Sequence, residues 1–78
     1  MVLEVRLYAT LRRYAPNSLN GIISLTVPER ITVLDLVKQL KMDPAEIHLI
    51  MINGLGREFD ERLTDGDRVG LFPPVGGG

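Results

Sequence analysis

The sequence predicts an α+β domain in which a mixed sheet of four to five strands packs on one main helix and ends in a flexible glycine tail. Three observations carry this. Short apolar/polar alternations recur towards both ends of the chain, one stretch between them repeats apolar residues at helical spacing, and the chain closes on Pro73 Pro74 Val75 Gly76 Gly77 Gly78. Residues 1–75 are expected to form the domain and residues 76–78 the tail.

Val2 to Tyr8 alternate, with Leu3, Val5 and Leu7 on one face and Glu4, Arg6 and Tyr8 on the other, the pattern of a half-buried strand. Thr10 to Ala15 suit a short helical piece, with Leu11 and Tyr14 three apart and Pro16 as the stop. Asn17 to Gly21 read as a loop whose turn signal is Asn20 Gly21. Ile22 to Val27 alternate again, with Ile23, Leu25 and Val27 on one face, and Pro28 ends this second strand, expected antiparallel to the first.

The helix carries the fullest set of signals. Thr32 is a natural N-cap, Asp35 stands at the third helical position near the positive end of the helix, and Ile31 can staple onto Leu36. Val33, Leu36, Val37 and Leu40 make the apolar stripe, and Lys38 and Lys41 are expected in the last turn, where the dipole favours cations. Asp43 Pro44 Ala45 Glu46 repeats a cap-like pattern, so one further turn is expected there.

Leu49 to Ile52 are apolar at every position, which suits a central strand better than an edge. Asn53 Gly54 is a hairpin turn signal, with a return strand expected over about Arg57 to Phe59. After the turn Asp65 Gly66 Asp67, the last strand runs from Arg68 to Phe72, with Val69 and Leu71 on one face and Gly70 and Phe72 on the other.

Composition narrows the function. Seventy-eight residues bury only about two thirds of their unfolded surface, which leaves one modest core and little room for an enclosed active site. Nine Lys and Arg against ten Asp and Glu give a net charge of −1, which lacks the electrostatic footprint of a nucleic-acid binder; Arg6, Arg12 and Arg13 read as a solvated basic group. With no cysteine, the chain can form no disulfide, thiolate nucleophile or sulfur-ligated metal site. There is no apolar run of membrane-spanning length, so no membrane partner is expected and cytoplasm is the default compartment.

Few residues are candidates for chemistry within the body. His48 is the only histidine and lacks the companions of a metal site, so a surface or loop role is expected and no metal is implied. Gly54 Leu55 Gly56 lacks the third glycine and the lysine of phosphate loops, and Asp65 Gly66 Asp67 is too short for a calcium loop. Asp60, Glu61, Asp65 and Asp67 lie among turn residues and read as solvated carboxylates. Tyr8 and Phe72 fall on the parity opposite their strands' core residues, and Leu55 sits in a hairpin turn. The three either form an exposed apolar docking patch or tuck over the second face of the sheet; parity leaves both open.

The tail points outward. Pro73 and Pro74 hold an extended exit, and at a polyproline rise of ~3.1 Å per residue the segment to Gly78 carries a terminal carboxylate roughly 15 Å or more from the sheet. Glycines at the tip let the carboxyl enter a narrow site without clash. A carboxylate is a poor electrophile until its oxygen becomes a leaving group, and adenylation with ATP on a partner enzyme supplies one. A sulfur donor would then give a thiocarboxylate, and an amine a conjugate. A tag remnant or linker is the plain alternative.

The closing stretch Leu63 Thr64 Asp65 Gly66 Asp67 Arg68 Val69 Gly70 Leu71 Phe72 Pro73 Pro74 Val75 Gly76 Gly77 Gly78 resembles the L-x-D-G-D-x-V-x-x-F-P-P-V-x-G-G ending of the MoaD/ThiS group of ubiquitin-like sulfur carriers, and within it the MoaD branch. Val5, Tyr8 Ala9, Leu11 Arg12, the Thr32 to Leu40 helix and Ile52 Asn53 extend the similarity over essentially the whole chain. The resemblance implies a β-grasp fold with no stably bound cofactor, and a chain not catalytic alone. Gly78, preceded by Gly77, would be adenylated with ATP by an E1-like, MoeB-type enzyme and converted to a thiocarboxylate. In the molybdopterin branch the tail, with Pro73, Pro74, Val75 and Gly76, would insert into a MoaE-like large subunit and pass sulfur to the pterin precursor of the molybdenum or tungsten cofactor. Tyr8, Phe72 and Leu55 or Gly56 match the family's apolar partner contacts. Gly76 stands where relatives often carry another small residue. Carriers for thiamine, cysteine or tRNA thiolation, a ubiquitin-like modifier of proteins, and a plain interaction module remain alternatives.

Overall fold

The computed structural model describes residues 1–74. Strands β1 (Val2–Leu7), β2 (Ile22–Thr26), β3 (Leu49–Ile52), β4 (Leu55–Arg57) and β5 (Arg68–Phe72) form one sheet in the order β2-β1-β5-β3-β4, with helix α1 (Val33–Gln39) between β2 and β3. The two strands that open and close the sequence, β1 and β5, lie side by side and parallel, whereas β1/β2, β3/β5 and β3/β4 are antiparallel. This is the β-grasp arrangement. Leu3, Val5 and Leu7 of β1, Val69 and Leu71 of β5 and Ile50 and Ile52 of β3 share one buried face with Val33, Leu36 and Val37 of α1. Each Leu or Val so buried stabilises the fold by about 2 kcal/mol relative to exposure.

The helix starts where its cap predicts. Thr32 Oγ1 accepts from Asp35 N at 3.2 Å and Asp35 Oδ2 accepts from Thr32 N at 3.0 Å, closing a capping box with Asp in the third position. The loop after β4 completes the cap, because Glu61 O and Phe59 O accept from Val33 N and Leu34 N. Ile31 is half-buried against the core cluster. The far end corrects the placement of Lys41. Leu40 is the C-cap, and Lys41, at φ 59°, lies one residue beyond it. Lys41 N donates to Lys38 O and Met42 N to Val37 O, a Schellman stop made without the glycine that usually announces one.

The return strand is also corrected: β4 runs Leu55–Arg57, earlier than the alternation suggested. Asn53 and Gly54 have φ of 52° and 84°, so they form a two-residue hairpin of the type that lets pairing resume at once, with Ile52 opposite Leu55. The strand β3 is interior, flanked by β5 and β4, yet it is not buried on both faces: Leu49 is exposed and Met51 half-buried. The outer strand β2 is blunted at its start, where Ile22 N donates to Asn20 Oδ1 and Ser18 Oγ donates to Ile22 O.

One carboxylate is not the solvated residue that its place in a turn suggested. Asp67 is buried; its Oδ1 accepts from Asn53 Nδ2 at 2.9 Å and Thr64 Oγ1 at 3.0 Å, and its Oδ2 from Thr64 N at 2.8 Å. Asn53 Oδ1 in turn accepts from Arg68 N, so this network ties the β3–β4 turn to the start of β5. Asp60, Glu61 and Asp65 are exposed, as expected. Arg12 and Arg13 are exposed and Arg6 is half-buried, in keeping with a solvated group. Arg13 pairs with Glu46 and Arg6 with Glu4. Tyr14 Oη also donates to Glu46, which fastens the 3₁₀ turn Ala9–Tyr14 to the turn Pro44–Glu46. These two partners, Tyr14 first and then Arg13, hold the Glu46 carboxyl below the usual range.

Candidate functional site

The face of the sheet opposite α1 carries the residues of odd-out parity. In the β1/β5 register Arg6 lies beside Gly70 and Leu7 beside Leu71, which brings Tyr8 to the side of Phe72. In the β3/β5 register Met51 lies opposite Gly70 and Leu49 opposite Phe72. Tyr8 and Phe72 stack, with ring centroids 4.2 Å apart and planes at 7°. Both are half-buried. A Cβ on Gly70 would stand 3.3 Å from Phe72 Cε1, 3.5 Å from Tyr8 Cε2 and 3.8 Å from Met51 Cβ, so the missing side chain is what admits both rings over the centre of the sheet. The rings form one wall of an open hollow of about 270 Å³, completed by Met51, Gly54, Gly70 and the side chains of Arg6 and Arg68.

Tyr8 N donates to Leu71 O at 3.2 Å and His48 N to Phe72 O at 2.8 Å, holding the chain to the sheet up to the residue before Pro73. Pro73 is half-buried and Pro74 exposed. The described chain therefore leaves the sheet beside the aromatic pair. Val75, Gly76, Gly77 and Gly78, expected to contact the partner and carry the chemistry, lie outside the described residues.

Leu55 does not join this patch. It pairs with Ile52, whose side chain is in the core, so it shares the helix-side face at the outer edge of the sheet, where it is 57% exposed; Gly56 pairs with Met51 and occupies the open face instead. Sequence reasoning missed Met51, Arg68 and the role of Gly70. The signal was present in parity: Arg68, Gly70 and Phe72 alternate with Val69 and Leu71, and Met51 with Ile50 and Ile52. The uniformly apolar run of β3 concealed it.

Arg6 Nε donates to Glu4 Oε2 at 2.6 Å, and this bond, followed by the nearby Tyr8 hydroxyl, raises the arginine's pKa above its already high ordinary value. His48 is exposed. Among the described residues, no three His, Cys, Asp or Glu side chains converge as a metal site would need, and no helix is long and apolar enough to cross a membrane. What the described residues do present is the half-buried aromatic pair at the point where Phe72 leads into Pro73.

The model of the ThiS family matches residues 5–78. The chain belongs to the ThiS family. It is a ubiquitin-like carrier of the ThiS/MoaD type, and its β-grasp fold is that of its solved relatives. No curated protein sequence matches this ThiS-family chain. Among solved structures, molybdopterin converting factor subunit 1 from Pyrococcus furiosus is 29% identical with a TM-score of 0.76, over 96% of this chain and 99% of that one. Small archaeal modifier protein 1 from Methanosarcina acetivorans is 25% identical with a TM-score of 0.67, over 99% and 96%. Subunit 1 in the Helicobacter pylori complex of molybdopterin-converting factor subunits 1 and 2 is 21% identical with a TM-score of 0.64 over the whole of both chains, a likeness of fold.

Proposed function

We propose that this protein carries sulfur as the small subunit of a molybdopterin synthase in the cytoplasm, with Gly78 as the loaded residue and Gly77 beside it in the partner's channel. In the loading step the Gly78 carboxylate attacks the α-phosphate of ATP on an E1-like, MoeB-type enzyme, releasing pyrophosphate. Sulfide from a donor then displaces AMP from the acyl-adenylate and leaves a thiocarboxylate, with no net oxidation. The tail enters a MoaE-like large subunit while Tyr8, Phe72, Pro73 and Pro74 dock at its mouth. The observation that carries this reading is the stacked Tyr8–Phe72 pair at the point where the chain leaves the sheet, an apolar surface beside a tail whose family match runs through Gly78. The likeness to the Pyrococcus protein supports the molybdopterin branch.

A second reading, a protein modifier, is favoured by the likeness to the Methanosarcina modifier protein. It shares the adenylation step and ends in an isopeptide bond from Gly78 to a lysine. Intact mass after incubation with ATP, sulfide and a MoeB-type enzyme tests the proposal. A sulfur-for-oxygen increment mapping to Gly78, followed by dithiolene formation with a large subunit and pterin precursor, is the expected result. Lysine adducts without that increment would favour the modifier, and unchanged mass beside a converted control carrier would overturn the sulfur-carrier reading in favour of a modifier with a different activating enzyme or a binding module with an inert tail.

A further inference from the structure

The open face holds more than an apolar shelf. Across β1 and β5 it presents Glu4, Arg6 and Arg68, in a register where Glu4 lies beside Arg68 and Arg6 beside Gly70. Glu4 is committed to Arg6, at 2.6 Å. Among the described residues the Arg68 guanidinium makes no ion pair or side-chain hydrogen bond, although its backbone N–H is held by Asn53. Glu4 and Arg6 thus satisfy each other, and the Arg68 guanidinium is left as the cation of this face without a side-chain partner among the described residues, at the rim of the same hollow that Tyr8 and Phe72 wall. A guanidinium carries only donors, so its natural complement is a carboxylate, accepted in a planar fork. A surface that sets an aromatic shelf beside such a group selects a partner with the reverse order: an apolar side chain next to an acidic one.

We propose that the partner docking on this face is a protein that lays an apolar side chain on the Tyr8–Phe72 shelf over Gly70 and sets an Asp or Glu carboxylate against Arg68, with Arg6 as the second cation. The proposal rests on the open face being the docking surface of the sulfur-transfer partner. Arg68 is the specificity element of that surface, because the stack attracts any apolar group whereas the unpaired cation discriminates between acidic and basic neighbours. Arg6 also lines the hollow, and its bond to Glu4 already orders part of its side chain, which lowers the entropy lost when a partner binds.

The test is the affinity of the whole protein for a purified MoaE-like large subunit, measured by calorimetry at low and high salt, for wild type and for Phe72→Ala, Arg68→Glu, Arg68→Gln and Arg68→Lys. Melting curves confirm that each variant folds. Arg68→Glu is expected to weaken binding by about tenfold or more at low salt, Arg68→Gln by less and Arg68→Lys least, with the differences shrinking as salt screens the pair. Phe72→Ala is expected to weaken binding at both salts. If Phe72→Ala weakens binding while all three Arg68 variants bind as wild type, the acidic complement is refuted and the docking face stands. If wild type fails to bind, or Phe72→Ala has no effect, the docking face itself falls and the proposal with it.

Discussion

Tyr8 and Phe72 meet ring on ring because β1 and β5 run parallel and in register, with Leu7 beside Leu71 and a glycine, Gly70, beneath the rings. Stacked aromatic pairs contribute about 0.5–1.5 kcal/mol beyond the area they bury. A double-mutant cycle with Tyr8→Ala and Phe72→Ala, followed by denaturant unfolding, should return a coupling in that range. Because both rings keep one side open, each single variant should cost less than about 2 kcal/mol, below the 3–5 of a core aromatic truncation. A larger loss for Phe72→Ala would place the ring's main role in folding.

Gly21 and Gly54 both have positive φ, at 77° and 84°, but only Gly21 is enclosed. A Cβ there would stand 2.4 Å from Leu7 O, the backbone of the strand that Gly21 O pairs with, whereas a Cβ on Gly54 meets nothing within 4 Å. Gly54→Ala should therefore cost only the conformational strain, roughly 1 kcal/mol. Gly21→Ala should cost more, on the order of 3 kcal/mol, since β1 and β2 must separate to admit the methyl. Equal melting temperatures for the two variants would contradict the clash.

Lys41 closes the helix in a left-handed conformation that glycine adopts without penalty. Its N–H remains bonded to Lys38 O whatever the side chain. Lys41→Gly is thus expected to stabilise the protein, by up to about 1 kcal/mol, offset in part by a less favourable dipole interaction. A rise in unfolding midpoint at unchanged slope would check this.

The same helix shows what the sequence could and could not reveal. Its start was legible because Thr32 and Asp35 are three apart and cap each other locally. Its stop was not, because a lysine occupies the place of the expected glycine. Locality divides the rest in the same way. The Asn53 Gly54 turn and the strand faces follow from neighbouring residues, whereas the stacking of Tyr8 on Phe72 depends on the β1/β5 register. The buried Asp67 takes two bonds from nearby Thr64, but its third comes from Asn53 across the β3–β5 pairing, and neither residue's sequence surroundings hint at the other. Whether Leu55 lies with Tyr8 and Phe72 depends on register, which local exposure does not give, and pairing with Ile52 puts it on the other face.

Acid should weaken the fold through two carboxylates. The Thr32 backbone N–H, then its hydroxyl, hold Asp35 below its ordinary 3.8, and Tyr14 and Arg13 hold Glu46 below its ordinary 4.5. Folded values below the unfolded ones mean stability that is fully present above about pH 5 and lost as pH falls through the folded values. Melting temperature should therefore decline below that point, and Asp35→Asn together with Glu46→Gln should flatten the decline while lowering the plateau at neutral pH. A decline of unchanged steepness in the double variant would assign acid sensitivity to other carboxylates.

Deleting Gly78 separates the tail from the body. The core residues, the sheet ladder and the Asn53–Asp67 network all fall within residues 1–74, and the last ladder bond is accepted by Phe72 O. None of these depends on the final glycine, so the truncated chain should melt within about a degree of wild type, as expected for a change away from packed or hydrogen-bonded features. Loading should nonetheless fail. Shortening an extended segment by one residue withdraws the carboxylate by ~3 Å, beyond the near-contact distance of about 3–3.5 Å that attack on a phosphorus centre requires. The measurement is pyrophosphate release with a MoeB-type enzyme, with Gly78→Ala as the companion variant: it restores the length and adds one methyl. Release by the alanine variant but not by the deletion would assign the requirement to reach; failure of both would assign it to the narrowness of the partner's channel.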